Sequence, residues 1–169
     1  MKNVRRMVLC SLFAALTAVC AWISVPVLDI AFTMQTFAIF LTLGVLGGKW
    51  GSLSILIYLL LGVLGLPVFS GFQGGVGSLL GITGGYIWGF LLSGLTYWAL
   101  ERVNSILACA AGMVVCYLCG SLWFQVYAGG GIGLWAVVLK CVVPYLVPDA
   151  VKLTMAWALS SRLRRHLKY

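Results

Sequence analysis

The feature that most constrains this chain is where charge does not occur. No Asp, Glu, Lys or Arg falls within 7–25, 36–48, 51–66, 84–100 or 105–126, and nearly every residue in those runs is apolar. A membrane-spanning helix needs roughly 20 mainly apolar residues, and turns and short ends leave material for about six. A sixth run, near 146–161, differs from the others in holding two charges, Asp149 and Lys152. Soluble domains carry about 25% charged residues, whereas this chain carries 8% and is 63% hydrophobic over 169 residues. The expectation is an all-α membrane protein: one domain over 1–169, a bundle of six transmembrane helices with membrane lipid around it.

A formal net charge of +8 would suggest nucleic acid in a soluble protein, so the positions of the basic residues matter. Lys2, Arg5, Arg6, Lys49, Arg102, Arg162, Arg164, Arg165 and Lys168 lie at the ends or in two short connections, leaving only Lys140 and Lys152 elsewhere. Cytoplasmic connections collect Lys and Arg, which places the N- and C-termini and the Gly47–Gly51 turn in the cytoplasm. They are topology signals, and no nucleic-acid partner is expected. The basic start followed by 7–25 has the order of a signal peptide, but that run is long for one, and a retained first span is expected.

The same orientation puts three connections outside. They are the first, with Pro26, Asp29, Thr33, Gln35 and Thr36; the long glycine-rich third, from Pro67 to Thr83; and the fifth, around Gly129, Gly130 and Gly131. An outward-facing pocket covered by loops follows. The stretch from Leu134 to Val143 is expected as a short interfacial helix. A fresh helix is expected near Pro148, because Pro144 and Pro148 disfavour helix in the residues before them.

Asp149 and Lys152 are three residues apart, a spacing that shares one helix face. Charges within a membrane face a cavity or a partner, so the pair is either a ligand site or a structural ion pair. A carboxylate accepts N–H donors and an ammonium beside it donates to a carbonyl, which suits a neutral ring such as a cyclic urea. Asp149 near a helix N-terminus would gain from the backbone N–H groups there. The segment from Gly71 through Gly74, Gly75 and Gly77 to Thr83, Gly84, Gly85 and Tyr86 either lets backbone approach a ligand or serves turns and packing. Tyr86 carries a hydroxyl that needs a partner if buried.

Other chemistry finds no footing. No G-x-x-x-x-G-K-[ST] occurs, so ATP is not bound by that route. Cys10, Cys20, Cys109, Cys116, Cys119 and Cys141 are scattered without nearby histidines, and no metal or cofactor is expected. His166 sits alone in the basic tail, and no nucleophile–base constellation marks an enzyme. Ala14 and Ala18 form a small-xxx-small face that lets a helix of this chain, or of another subunit, approach closely.

Several stretches together resemble the BioY family, the biotin-specific substrate-binding (S) components of energy-coupling-factor (ECF) transporters. They are Phe32-Thr33-Met34-Gln35-Thr36, Gly47-Gly48-Lys49-Trp50-Gly51, Tyr58 through Gly62, Gly65-Leu66-Pro67-Val68-Phe69, Gly74-Gly75-Val76-Gly77, Thr83-Gly84-Gly85-Tyr86 with Gly89-Phe90, and Pro148-Asp149 with Lys152. Ile82 stands where the family has Pro, and Tyr145 where Phe often follows the later Pro.

The resemblance implies a six-helix protein of a prokaryotic plasma membrane that binds biotin from outside and works with a transmembrane coupling (T) subunit and two ATPase subunits. It implies ligand contacts by Asp149 and Lys152, with Tyr86, Gly74, Gly75 and Thr83 from the glycine segment and Gln35 in a covering loop. It also implies that Ala14 and Ala18 meet the coupling subunit. The fourth span holds no Lys or Arg for the biotin carboxylate, and Lys140 is a candidate only by position. The alternatives are a membrane enzyme or structural subunit using Asp149 and Lys152 for proton transfer or folding, or an S component for another vitamin.

Overall fold

The computed structural model describes residues 2–27, 30–131 and 133–167; Asp29 and Lys168, named above, lie outside the described residues. Helix α1, Lys2–Trp22, leads into a hairpin of β1, Ser24–Val27, and β2, Ile30–Thr33. Helix α2, Gln35–Val63, is interrupted at Gly47, and a loop with one 3₁₀ turn, Ser70–Phe72, leads to the short α3, Val76–Leu80. Then come α4, Gly84–Leu100, α5, Ser105–Tyr127, α6, Leu134–Cys141, and α7, Val143–Leu167.

Gly47 makes one helix into two. Its φ of 76° and ψ of 171° are open to glycine and strained for other residues, and the chain reverses there. Gln35 and Tyr58, 23 residues apart, stand in hydrogen bond at 2.7 Å, where a straight helix would separate them by about 34 Å. The arms, 35–46 and 48–63, are the expected second and third spans. At Gly48 the arms' turn lies so close to Trp98 of α4 that a Cβ would run into its backbone.

With the two arms of α2 counted separately, α1, α4, α5 and α7 complete the six-helix bundle. Helices α1 and α5 are each long and apolar enough to cross a membrane, as is the α6–α7 pair taken together; the 29 residues of α2 reach that length only as the sum of two arms that fold back on each other. Helix α4 has 17 residues, about 26 Å of rise, and covers most of a hydrocarbon core of roughly 30 Å. It packs on α5 through small residues: a Cβ on Gly89 would stand 3.1 Å from the Cys116 backbone. Ser93 donates across the same contact to the Gly112 carbonyl at 2.6 Å. Small residues and short polar bonds are the means by which helices associate where lipid offers no hydrophobic drive.

The start of α1 and the end of α7 gather at one end of the bundle with the Gly47 turn. The Arg6 guanidinium lies 5.7 Å from the Trp50 ring centroid, and Gly44 touches Ser160 of α7. Glu101, just past α4, accepts from the Gly48 N–H at 2.7 Å and so caps the second arm of α2. Lost caps cost about 1 kcal/mol. Glu101→Ala is therefore expected to lower the thermal midpoint of the detergent-solubilised protein by a few degrees without altering ligand affinity; an unchanged midpoint would show that the contact contributes nothing.

Two expectations need correction. The first outer connection is not plain loop: 24–33 pairs as an antiparallel hairpin with Ser24 opposite Thr33 and Val27 opposite Ile30. The last helix starts at Val143, not near Pro148, because Pro144 falls in its first turn, where a missing N–H costs nothing. Pro148 sits inside the helix, and Asp149 is consequently beyond the first turn, out of range of the N-terminal N–H groups. Ala14 and Ala18 are 1% and 7% exposed. Their small-residue face is used within the chain, in the core that includes Ile39 and Ile55 of α2.

Candidate functional site

The opposite end of the bundle encloses a cavity of about 420 Å³, within the roughly 300–1,000 Å³ usual for small-molecule sites. The hairpin supplies Ile30, Phe32 and Thr33, the 67–73 loop supplies Phe69 and Gln73, and α4, α5 and α7 supply Phe90, Tyr117 and Tyr145. Among the described residues, Asp149 and Lys152 are the only charged ones in the lining.

These two are nearly sealed, at 4% and 5% exposure, and pair at 2.8 Å. The carboxylate is met on both oxygens. Thr36 donates to Oδ1 at 3.0 Å and Tyr117 to Oδ2 at 2.6 Å. The ammonium spends its three protons on Asp149 Oδ1 at 2.8 Å, the Thr33 carbonyl at 2.6 Å and Thr36 Oγ1 at 3.3 Å. It also stands 3.7 Å from the centroid of the Phe32 ring, a cation–π contact. One pair of charges thus ties α7 to α2, α5 and the hairpin. Buried charge is tolerated when so paired and bonded.

The other expected residues divide. Tyr86 lines the cavity and donates to the Cys141 carbonyl at 3.1 Å, which satisfies its hydroxyl and ties α4 to α6. Thr83 lines the cavity at the start of α4. Gln35 lines it as well, but as the first residue of α2, buried beneath the hairpin instead of forming part of the covering loop. Gly74 and Gly75 lie outside the lining. The Gly75 N–H donates to the Gly62 carbonyl at 2.6 Å, and a Cβ on Gly74 would strike the Leu66 carbonyl. They fasten the loop to the end of α2. Lys140 is exposed on α6 and is not part of the lining.

Sequence reasoning passed over Tyr117, and a signal for it existed. It is a phenol within an otherwise apolar span, and Asp149 is the one carboxylate inside a span available to accept from it. Tyr145 donates to the Ile30 carbonyl and so closes the start of α7 onto the hairpin. Trp22 and Trp123 hold loops. Trp22 donates to the Pro67 carbonyl at 2.7 Å and stacks on Phe72 at 5.2 Å, while Trp123 donates to the Gly81 carbonyl at 2.9 Å.

The arrangement offers a ligand an acceptor and a donor side by side on one wall, with apolar and aromatic walls around them. A sequence model of the family described as BioY family matches residues 1–169. The "Probable biotin transporter BioY" of Pyrococcus horikoshii is 41% identical over 160 residues, covering 92% of this chain and 94% of the relative. The "Biotin transporter BioY" of Thermotoga maritima is 35% identical over 166 residues, with 95% and 96% covered. The crystal structure of the S-component for biotin from an ECF-type ABC transporter superposes with a TM-score of 0.88 at 22% identity, covering 97% of this chain and 93% of that one. At that identity the likeness establishes the shared fold.

Proposed function

Because the chain belongs to the BioY family, we propose that it is the biotin-capturing S component of an ECF-type transporter in a prokaryotic plasma membrane, and that Asp149 and Lys152 hold the ureido ring. It is a multi-pass membrane transport protein and not an enzyme. The observation that carries the site assignment is the sealed Asp149–Lys152 pair on the wall of an otherwise largely apolar cavity.

A urea ring presents N–H donors beside a carbonyl acceptor. Asp149 accepts from an N–H, and Lys152 donates to the carbonyl. Since the ammonium already makes three bonds, the ligand carbonyl takes the proton that reaches Thr36 Oγ1, the longest of the three at 3.3 Å. The Thr36 hydroxyl keeps its own proton on Asp149, so the exchange leaves no buried donor orphaned. Aromatic and aliphatic walls at Phe32, Phe69, Phe90 and Ile87 suit the ring sulfur and the hydrocarbon chain.

Release inside needs energy from elsewhere, since the chain holds no nucleotide-binding loop. A T subunit and two ATPase subunits supply it in this reading. A ligand shifts such a protein between outward and inward states only by binding them unequally.

Calorimetry on the detergent-purified protein tests the proposal, with thiamine and riboflavin as controls. Tight binding of biotin alone is the expected result. Binding of another vitamin in its place would reassign the substrate, and binding of none would remove the transport reading of this cavity.

A further inference from the structure

Tyr58, in the second arm of α2, is fully buried and is not part of the cavity lining. Its hydroxyl nevertheless sits between two groups that fix its proton. It donates to the Val68 carbonyl at 3.1 Å and accepts from Gln35 Nε2 at 2.7 Å. A backbone carbonyl can only accept, and giving the phenolic proton to Gln35 would leave the Val68 carbonyl without this donor, against the rule that buried carbonyls are paired. With that proton committed, the phenol oxygen can only accept. Gln35 must then turn Nε2, and not Oε1, toward it, an orientation set by the bonding network.

Gln35 is 5% exposed and lines the cavity, and Tyr58 is the one hydrogen-bond partner of its side chain among the described residues. Its Oε1 is left with acceptor capacity, and Gln35 lines the same cavity as Asp149, one residue before Thr36, which is bonded to that carboxylate. The carboxylate has about four acceptor sites, and Lys152, Thr36 and Tyr117 occupy three. It has room for one ligand N–H, while a urea ring brings two. We propose that Tyr58 is a positioning residue that holds the Gln35 amide so that Oε1 accepts the second ureido N–H.

The inference rests on the biotin reading above. An amide free to rotate would spend part of its time presenting N–H to N–H, and the loss of one such bond is worth about tenfold in affinity.

The test is a double-mutant cycle on biotin affinity, measured by calorimetry on the full chain: parent, Tyr58→Phe, Gln35→Ala and the double variant. Tyr58→Phe is expected to weaken binding about tenfold, Gln35→Ala at least as much, and the double variant no further than Gln35→Ala. Equal affinity of Tyr58→Phe and parent overturns the inference, as do losses that multiply, which would mark Tyr58 as a support of the fold alone.

A second readout guards against a poorly folded Tyr58→Phe. Biotin methylated at one or other ureido nitrogen is compared with biotin on the parent and on Gln35→Ala, in which Tyr58 keeps Val68. At one of the two nitrogens the penalty for methylation should shrink about tenfold in Gln35→Ala; an unchanged penalty at both overturns the inference. A parent that fails to bind biotin at all refutes the functional reading together with this one, whereas failure of the inference alone shows only in the variants.

Discussion

Replacing Asp149 by asparagine is expected to weaken biotin binding by at least about a hundredfold while the helices still insert and the protein still purifies as a single species. Three donors converge on this carboxylate: Lys152 at 2.8 Å, Thr36 at 3.0 Å and Tyr117 at 2.6 Å. Asparagine has one acceptor oxygen in place of two and sets an N–H₂ against at least one of those donors. A hydrogen bond to a charged group contributes about 1.5–3 kcal/mol, so losing the ligand's own bond to Asp149 accounts for roughly one to two factors of ten. The remainder comes from Lys152. With its counter-ion neutralised, the ammonium is a buried charge without a partner, a change that costs about 3–5 kcal/mol, and it leans toward whatever oxygen is near instead of waiting for the ligand carbonyl. Calorimetry gives the affinity, and size exclusion with thermal unfolding confirms the fold. A variant that folds and binds biotin as tightly as the parent would remove Asp149 from the site.

How much of this was legible in the sequence depends on what each signal was. The spans were readable because absence of charge over a long run has few explanations, and the turn at Gly47 because two glycines beside a lysine interrupt an apolar stretch. The Asp149–Lys152 pair stood out for the same reason in reverse: two charges in a span must be answered by something. What answers them was less visible. Thr36 and Tyr117 lie 113 and 32 residues from Asp149 in the sequence, and no local pattern reports such a meeting.

The hairpin escaped because four-residue strands containing Pro26 carry too little periodicity to separate them from loop, and their pairing is completed by the bundle beneath. Pro144 and Pro148 pointed to a later start for α7 than Val143. The preference against helix before a proline is a tendency, and helices within a bundle accommodate an internal proline when neighbours meet the released carbonyl. Ala14 and Ala18 show the limit of a motif that encodes only closeness. A small-residue face states that a helix will come near, and leaves open whether it belongs to this chain or to another.

Replacing both members of the pair separates a ligand role from a structural one more cleanly than either single change. Asp149→Leu with Lys152→Met is expected to unfold at a midpoint nearer that of the parent than does Asp149→Asn, yet to bind no measurable biotin. A buried ion pair exchanged for apolar side chains of similar volume is often neutral or stabilising, whereas breaking it by removing one partner strands a charge. The groups that lose partners in the double variant, the Thr36 and Tyr117 hydroxyls and the Thr33 carbonyl, belong to residues of the cavity lining, where water can replace the lost bonds. If the pair existed to hold α7 against α2, α5 and the hairpin, the double variant would bind biotin nearly as the parent does once its fold is intact, and the site assignment would fall. If the double variant fails to fold where the single one succeeds, the wall is held together by the charges in a way that apolar packing cannot replace. A stable protein without biotin binding leaves one account standing: two charges retained in a membrane at some cost to stability, because a ligand with both donors and an acceptor requires both of them.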